Sequence, residues 1–217
     1  MKLLIFDTET TGLPKSRTAA IDKPDNWPHI VSISWVILDD NKIVKQREYF
    51  ITPDKWVIPE ESIKIHGITN EIATAKGQPL QTVMMEFLGE HCDSIVAHNM
   101  NFDYNVIINA IKWDLGFDFD GFNVPMRCTM QLSRDHCKIS GRFGYKVPKL
   151  KELYEFIFKR TPTESRLHGS LYDTIILAEC IQHSSWLQAA LGLPVSNPIS
   201  GNGIHTLNFN FNETNWE

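Results

Sequence analysis

Cysteine is scarce, and nothing pairs it: Cys92, Cys128, Cys137 and Cys180 include no CxxC. Cys180 with His183, and His136 with Cys137, have spacings a metal could use, but no four-ligand framework emerges. The pattern predicts reduced, mostly buried thiols in a cytoplasmic protein. Long apolar runs are also missing. None approaches the roughly 20 residues needed to span a bilayer, and the N-terminus lacks the pattern of a secretory signal. Leu3 to Phe6 is short and meets acids at once. Neither a membrane protein nor a secreted one is expected.

A surplus of positive charge is absent too, since the net charge is −5, which taken alone argues against a nucleic-acid partner. The distribution argues for one. Residues 127–166 carry ten basic side chains against four acidic, a local charge of +6, which leaves −11 on the rest of the chain. A basic zone beside an acidic cluster can hold a phosphate chain while its carboxylates await cations. With 217 residues and 42% apolar composition the chain can build one sizeable core. The expected division is an α/β domain over residues 1–190 and a polar extension over 191–217, flexible or partner-binding.

The organising stretch is KLLIFDTETTGL at 2–13. Four apolar residues running into turn formers predict a buried strand. Side chains alternate along it, so Asp7 and Glu9 share one side and Thr8 takes the other. Two carboxylates ending a core strand are costly unless a cation compensates them, and a hard ion such as Mg²⁺ does so through oxygen ligands. For this stretch alone, a solvated acidic turn is the alternative.

Pro14 to Pro28 is too proline-rich for a helix, and its Trp27 is either a stacking platform for a base or a packing anchor. Residues 30–38 and 43–51 predict a hairpin around Asp39–Lys42, with Val31, Ile33 and Trp35 on one side and Ile30, Ser32 and Ser34 on the other. A short helix over 60–65 should end at His66-Gly67, and a second should begin after Thr69. Apolar spacing predicts a helix over 80–91, a strand over 94–97, and a helix over 101–113 with Asn101 as N-cap and Asp103 in its first turn. An edge strand over 124–130, an irregular segment over 140–148 and helices over 150–158 and 168–186 follow, the last capped near Ser170. Residues 207–213 alternate well enough for a small edge strand. The expected class is α/β, with a central mixed five-stranded sheet, its first three strands antiparallel, flanked by helices.

HGSLYD at 168–173 places Asp173 in the first turns of the last helix, with His168 on its approach. Asp7, Glu9, Asp103 and Asp173 can then hold two Mg²⁺ or Mn²⁺ ions about 3.5–4 Å apart, the usual clamp for phosphodiester hydrolysis. His168 suits a general base for the attacking water.

FDTETTGL at 6–13, AHNMNFD at 97–103 and HGSLYD at 168–173, taken in order, resemble the DEDD exonuclease superfamily, histidine subtype, which has the ribonuclease H-like fold. More narrowly, the chain is similar to bacterial and phage 3′→5′ exonucleases related to the proofreading subunit of DNA polymerase III. HGIT at 66–69, KVPKLKELY at 146–154 and NWPHIVSISW at 26–35 add secondary matches. The likeness covers roughly residues 1–185. It implies Asp7, Glu9, Asp103 and Asp173 as metal ligands, His168 as base, and stepwise release of nucleoside 5′-monophosphates from 3′ ends, of DNA more than RNA, with a DNA polymerase as a possible partner. Thr8, Thr10, Gly12, Leu13, His66, Asn99, Phe102 and Trp27 are the implied or candidate substrate contacts. Ser170 departs from the alanine most common at its place, which should alter local hydrogen bonding. An exoribonuclease acting on RNA or short oligonucleotides would share the catalytic group. A non-catalytic nucleic-acid-binding or polymerase-associated module is the alternative of another class, and the intact acidic set disfavours it.

Overall fold

A computed structural model describes residues 1–16, 23–24, 26–162 and 169–194. Leu3, Leu4, Ile5 and Phe6 lie in strand β1 (Lys2–Thr10) and are all essentially inaccessible. Leu4 and Phe6 enter one hydrophobic cluster and Leu3 and Ile5 another, because this central strand is covered on both faces. Double burial explains why the run is continuous and not alternating.

Strands β2 (Ile30–Asp39) and β3 (Lys42–Phe50) form the expected hairpin. Its turn residues Asp40 and Asn41 have φ of 45° and 63°, the two-residue geometry that matches strand twist and that Asp and Asn tolerate. β1 runs antiparallel to β2 and parallel to β4 (Ser94–Ala97), which is parallel to β5 (Met126–Cys128). The order β3-β2-β1-β4-β5 gives the mixed five-stranded sheet that the sequence predicts. One detail differs. Glu9 faces Ser32 while Thr10 faces Ile30, so Val31 is an extra, bulged residue. The bulge turns Ile30 to the side of Ile33 and Trp35, and Val31 into a separate cluster with Ile58, Ile68 and Ala73.

Helices α1 (Glu60–His66) and α2 (Asn70–Lys76) follow. Gly67 ends the first in a left-handed conformation, φ 74°, and Thr69 caps the second by accepting from the Ile72 N–H. Helices α3 (Leu80–Leu88) and α4 (Met100–Asn109) cover one face of the sheet. There Phe87 packs against Phe6 and Trp35, with ring centroids 5.2 and 5.4 Å away. α3 stops at Gly89, short of residue 91, and α4 begins one residue before Asn101. The position expected of Asn101 is taken by Asn99, whose side chain makes no cap. A π-helical turn, Ala110–Asp114, continues α4.

The edge strand is only three residues long because α5 (Thr129–Cys137), which the periodicity does not predict, begins at once. The segment expected to be irregular holds a two-residue hairpin, β6 (Ser140–Gly141) with β7 (Gly144–Tyr145). Helices α6 (Leu150–Phe158), α7 (Ser170–His183) and α8 (Ser185–Leu191) cover the second face, where Leu191 and Leu193 still belong to the core. Residues 207–213 lie outside the described residues. Among the described residues no helix is long and apolar enough to cross a membrane.

Candidate active site

Three elements converge where β1 ends. Asp7 and Glu9 share one side of the strand, the side over which α7 brings Asp173. Ligand atoms from these three carboxylates lie within 4.8 Å of one another. Asp103, in the first turn of α4, approaches from the neighbouring edge. β4 ends at Ala97, so past it β1 has no strand partner on that side. Asp103 Oδ1 fills the place, accepting the Thr8 N–H at 3.2 Å and the Thr8 hydroxyl at 2.8 Å.

The electrostatics follow from this crowding. Burial raises the Asp7 carboxyl well above its usual range, with help from the charges of Asp103, Asp173 and Glu9. Glu9 is pushed up to about 8 by burial and by Asp173 and Asp103. Asp103 is raised to about 7 by burial, against the opposing Thr8 hydrogen bonds. No lysine or arginine among the described residues forms an ion pair with Asp7, Glu9 or Asp103. An all-oxygen donor set that holds protons for want of positive charge suits a hard divalent cation.

The other expected site residues divide by role. Thr8 is buried and serves Asp103. The Thr10 hydroxyl donates to the Gly12 carbonyl at 2.7 Å, shaping the turn after β1. Gly12 has φ +150°, which favours glycine, and Leu13 is 71% exposed at the rim. His66 accepts the Ile68 N–H on Nδ1 at 3.1 Å, and burial lowers its pKa, so the ring is neutral. Asn99 is left-handed at φ 91° and accepts the Phe102 N–H. Phe102 packs on the core and meets Trp27 edge-on at 6.1 Å. Trp27 is 7% exposed; it packs against Phe102 and also lines the cleft beside the turn. His168 lies outside the described residues.

Sequence reasoning missed three features. A cleft of about 280 Å³ adjoins the turn, lined among others by Thr11, Leu13, Lys15, His29, Trp113 and Asp114. His29 stacks on Trp56 at 5.3 Å and binds Asp114 Oδ2 through Nδ1 at 2.9 Å. Residues 29 and 114 are distant in sequence, so only the fold pairs them. Secondly, partly buried His98 bridges Thr129 Oγ1 and the Pro148 carbonyl, each at 3.0 Å. Burial lowers its pKa to about 4, so it is neutral. The carbonyl only accepts, so Nε2 carries the proton and Nδ1 accepts from Thr129. Thirdly, Ser32 and Ser34 are buried polar residues in an apolar strand, a signal visible in the sequence. In the basic zone, Arg134 pairs with Asp135 and Lys146 with Glu152.

A mixed sheet with carboxylates gathered at the end of its central strand, beside a polar cleft, is an arrangement that suits a hydrolytic site holding a divalent cation. The exonuclease family model (RNase_T) matches residues 4–181, and the chain belongs to that family. It is a nuclease. It is 35% identical over 187 residues to DNA polymerase III subunit epsilon of Rickettsia prowazekii, covering 82% of this chain and 72% of that one. It is 36% identical over 137 residues to the PolC-type DNA polymerase III of Thermotoga maritima, covering 63% of this chain but 9% of that much longer protein. Among solved structures, Exonuclease X in complex with 5′ overhanging duplex DNA matches with TM-score 0.60 and 26% identity, over 89% of this chain and 95% of that one. Exonuclease I of E. coli in complex with an oligonucleotide shares the fold, with TM-score 0.62 at 15% identity over 88% of this chain and 42% of that one.

Proposed function

We propose that this chain is a 3′→5′ exonuclease that removes nucleoside 5′-monophosphates one at a time from the 3′ end of DNA, preferring single-stranded, frayed or mismatched ends. The observation that carries the reading is the convergence of Asp7, Glu9 and Asp173 within 4.8 Å, with Asp103 anchored beside them through Thr8. These residues would hold two divalent ions, Mg²⁺ or Mn²⁺, which when bound supply charge to the scissile phosphate and acidify a water. Thr10 and Gly12 shape the turn that receives the terminal nucleotide, and exposed Leu13 stands at its rim. His168, five residues before Asp173, takes the proton of the attacking water. Water oxygen bonds to phosphorus, the bond from phosphorus to the 3′ oxygen breaks, and that oxygen gains a proton. A 5′-monophosphate leaves, and the strand ends in a new 3′ hydroxyl.

The DNA preference draws on the relatives: the epsilon subunit of a DNA polymerase, and an exonuclease captured with duplex DNA. A polymerase partner draws on the epsilon subunit and the PolC-type DNA polymerase III. The test is digestion of matched 5′-labelled DNA and RNA strands, single-stranded and with mismatched 3′ ends, by wild type and His168→Ala. Faster shortening of DNA, with the rate lost in the variant, supports the reading. Faster shortening of RNA would replace it with an exoribonuclease. A variant as fast as wild type would remove His168 from its role.

A further inference from the structure

Ser32 and Ser34 are wholly buried on β2. Ser34 lies directly across from Asp7 and Ser32 directly across from Glu9, and residues so paired project from the same face. Each carboxylate of β1 therefore has a serine beside it, beneath α7. From α7, Ser170 Oγ comes within 3.1 Å of Ser32 Oγ, and Thr174 Oγ1 within 2.6 Å of Ser34 Oγ. The single Thr174 proton goes to the Ser170 carbonyl, so Ser34 donates to Thr174. On β3, Glu48 stands across from Ser34 and accepts the Leu171 backbone N–H at the start of the same helix.

Asp173 sits between the two tied residues. Elsewhere α7 packs through Ile175, Ala178 and Ile181, aliphatic contacts that fill space with little directional demand. Hydroxyl pairs at positions i and i+4 fix both the rotation of a helix and its height over the sheet. We propose that the Ser32–Ser170 and Ser34–Thr174 pairs are positioning contacts for the metal centre, setting α7 so that Asp173 meets Asp7 and Glu9 around one cation. The inference rests on the metal-binding reading of that cluster. It also gives Ser170 a purpose: its hydroxyl is half of one tie.

The test is Mn²⁺ titration of the full chain, reading free Mn²⁺ by electron paramagnetic resonance, for wild type, Thr174→Val and Thr174→Ser. Valine keeps the volume and loses the hydroxyl, whereas serine keeps the hydroxyl and leaves a small cavity. Removing partners behind metal ligands typically costs 10–100-fold in affinity, so Thr174→Val should bind Mn²⁺ at least ~10-fold more weakly, with Thr174→Ser within about two-fold of wild type. Melting in chelator should rank them the other way if only packing matters. Equal Mn²⁺ affinity in wild type and Thr174→Val overturns the proposal, as does weakening confined to Thr174→Ser. No binding by wild type overturns the metal reading beneath it. Should Thr174→Val fail to fold, Ser170→Ala carries the same comparison: weaker Mn²⁺ binding supports the proposal and unchanged binding overturns it.

Discussion

Raising the pH of the metal-free protein from 6.5 to 8.0 should destabilise it, and the structure sets the size of the effect. Burial and its acidic neighbours raise Glu9 from 4.5 to about 8. Through most of this window the folded protein keeps the Glu9 proton, losing half of it only at pH 8.0, while the unfolded chain has already lost it. The folded state thus binds more protons, and stability falls as pH rises, by about 1.4 kcal/mol per pH unit for each retained proton. Over 1.5 units Glu9 alone contributes roughly 2 kcal/mol. Asp7, held well above its ordinary value, and Asp103, raised to about 7, add in the same direction. His98, ordinarily near 6.5 and lowered to about 4 by burial, is neutral in the folded protein throughout the window and contributes little. At about 2–4 °C per kcal/mol for a chain of this size, Tm in chelator should drop by about 4–8 °C. Saturating Mn²⁺ should abolish the drop, since a cation replaces the protons, and Glu9→Gln should raise Tm in chelator at pH 8.0. Differential scanning calorimetry decides. A chelated protein that melts no lower at pH 8.0, or an equal drop with Mn²⁺ present, refutes the electrostatic reasoning.

Thr8→Val removes one of the two hydrogen bonds holding Asp103 Oδ1 but spares the backbone bond. A bond to a charged group is worth about 1.5–3 kcal/mol, so strand digestion should slow ~10-fold or more, with the pH–rate profile moved upward. Gly12→Ala puts a side chain at φ +150°, where strain of about 1–3 kcal/mol applies. Tm should fall and KM for a DNA strand rise in steady-state kinetics. His98→Asn should cost about 1–3 kcal/mol in denaturant melts through unpaired buried partners. It should also flatten the acid limb: because the folded pKa is depressed, the His98 contribution is present above about 6.5 and is lost as pH falls toward about 4.

Local chemistry explains which elements the sequence reveals. Gly67, Thr69 and the Asp40-Asn41 turn announce themselves by residue type, and Ser94–Ala97 by an apolar run between polar ends. α5 does not, because its buried residues are Thr129 and Ser133 and it carries no apolar stripe. The Val31 bulge is set by pairing with β1 at the site, which alternation along β2 cannot show. Asp7, Glu9, Asp103 and Asp173 are legible because carboxylates in apolar contexts demand a reason. The Thr8 bonds to Asp103 and the Ser34–Thr174 pair depend on contacts across distant parts of the chain. An aromatic in a polar loop reads the same whether it packs or lines a cleft, and Trp27 does both, meeting Phe102 and lining the cleft beside the turn.

The most direct test of the central claim follows 5′-labelled single-stranded DNA through single-turnover digestion by wild type and Asp173→Asn, in Mg²⁺ and in chelator. The account predicts a ladder that shortens one nucleotide at a time from the 3′ end, with 5′-monophosphates released, only for wild type with metal. Internal cuts, a ladder that persists in chelator, or full activity in Asp173→Asn would contradict it.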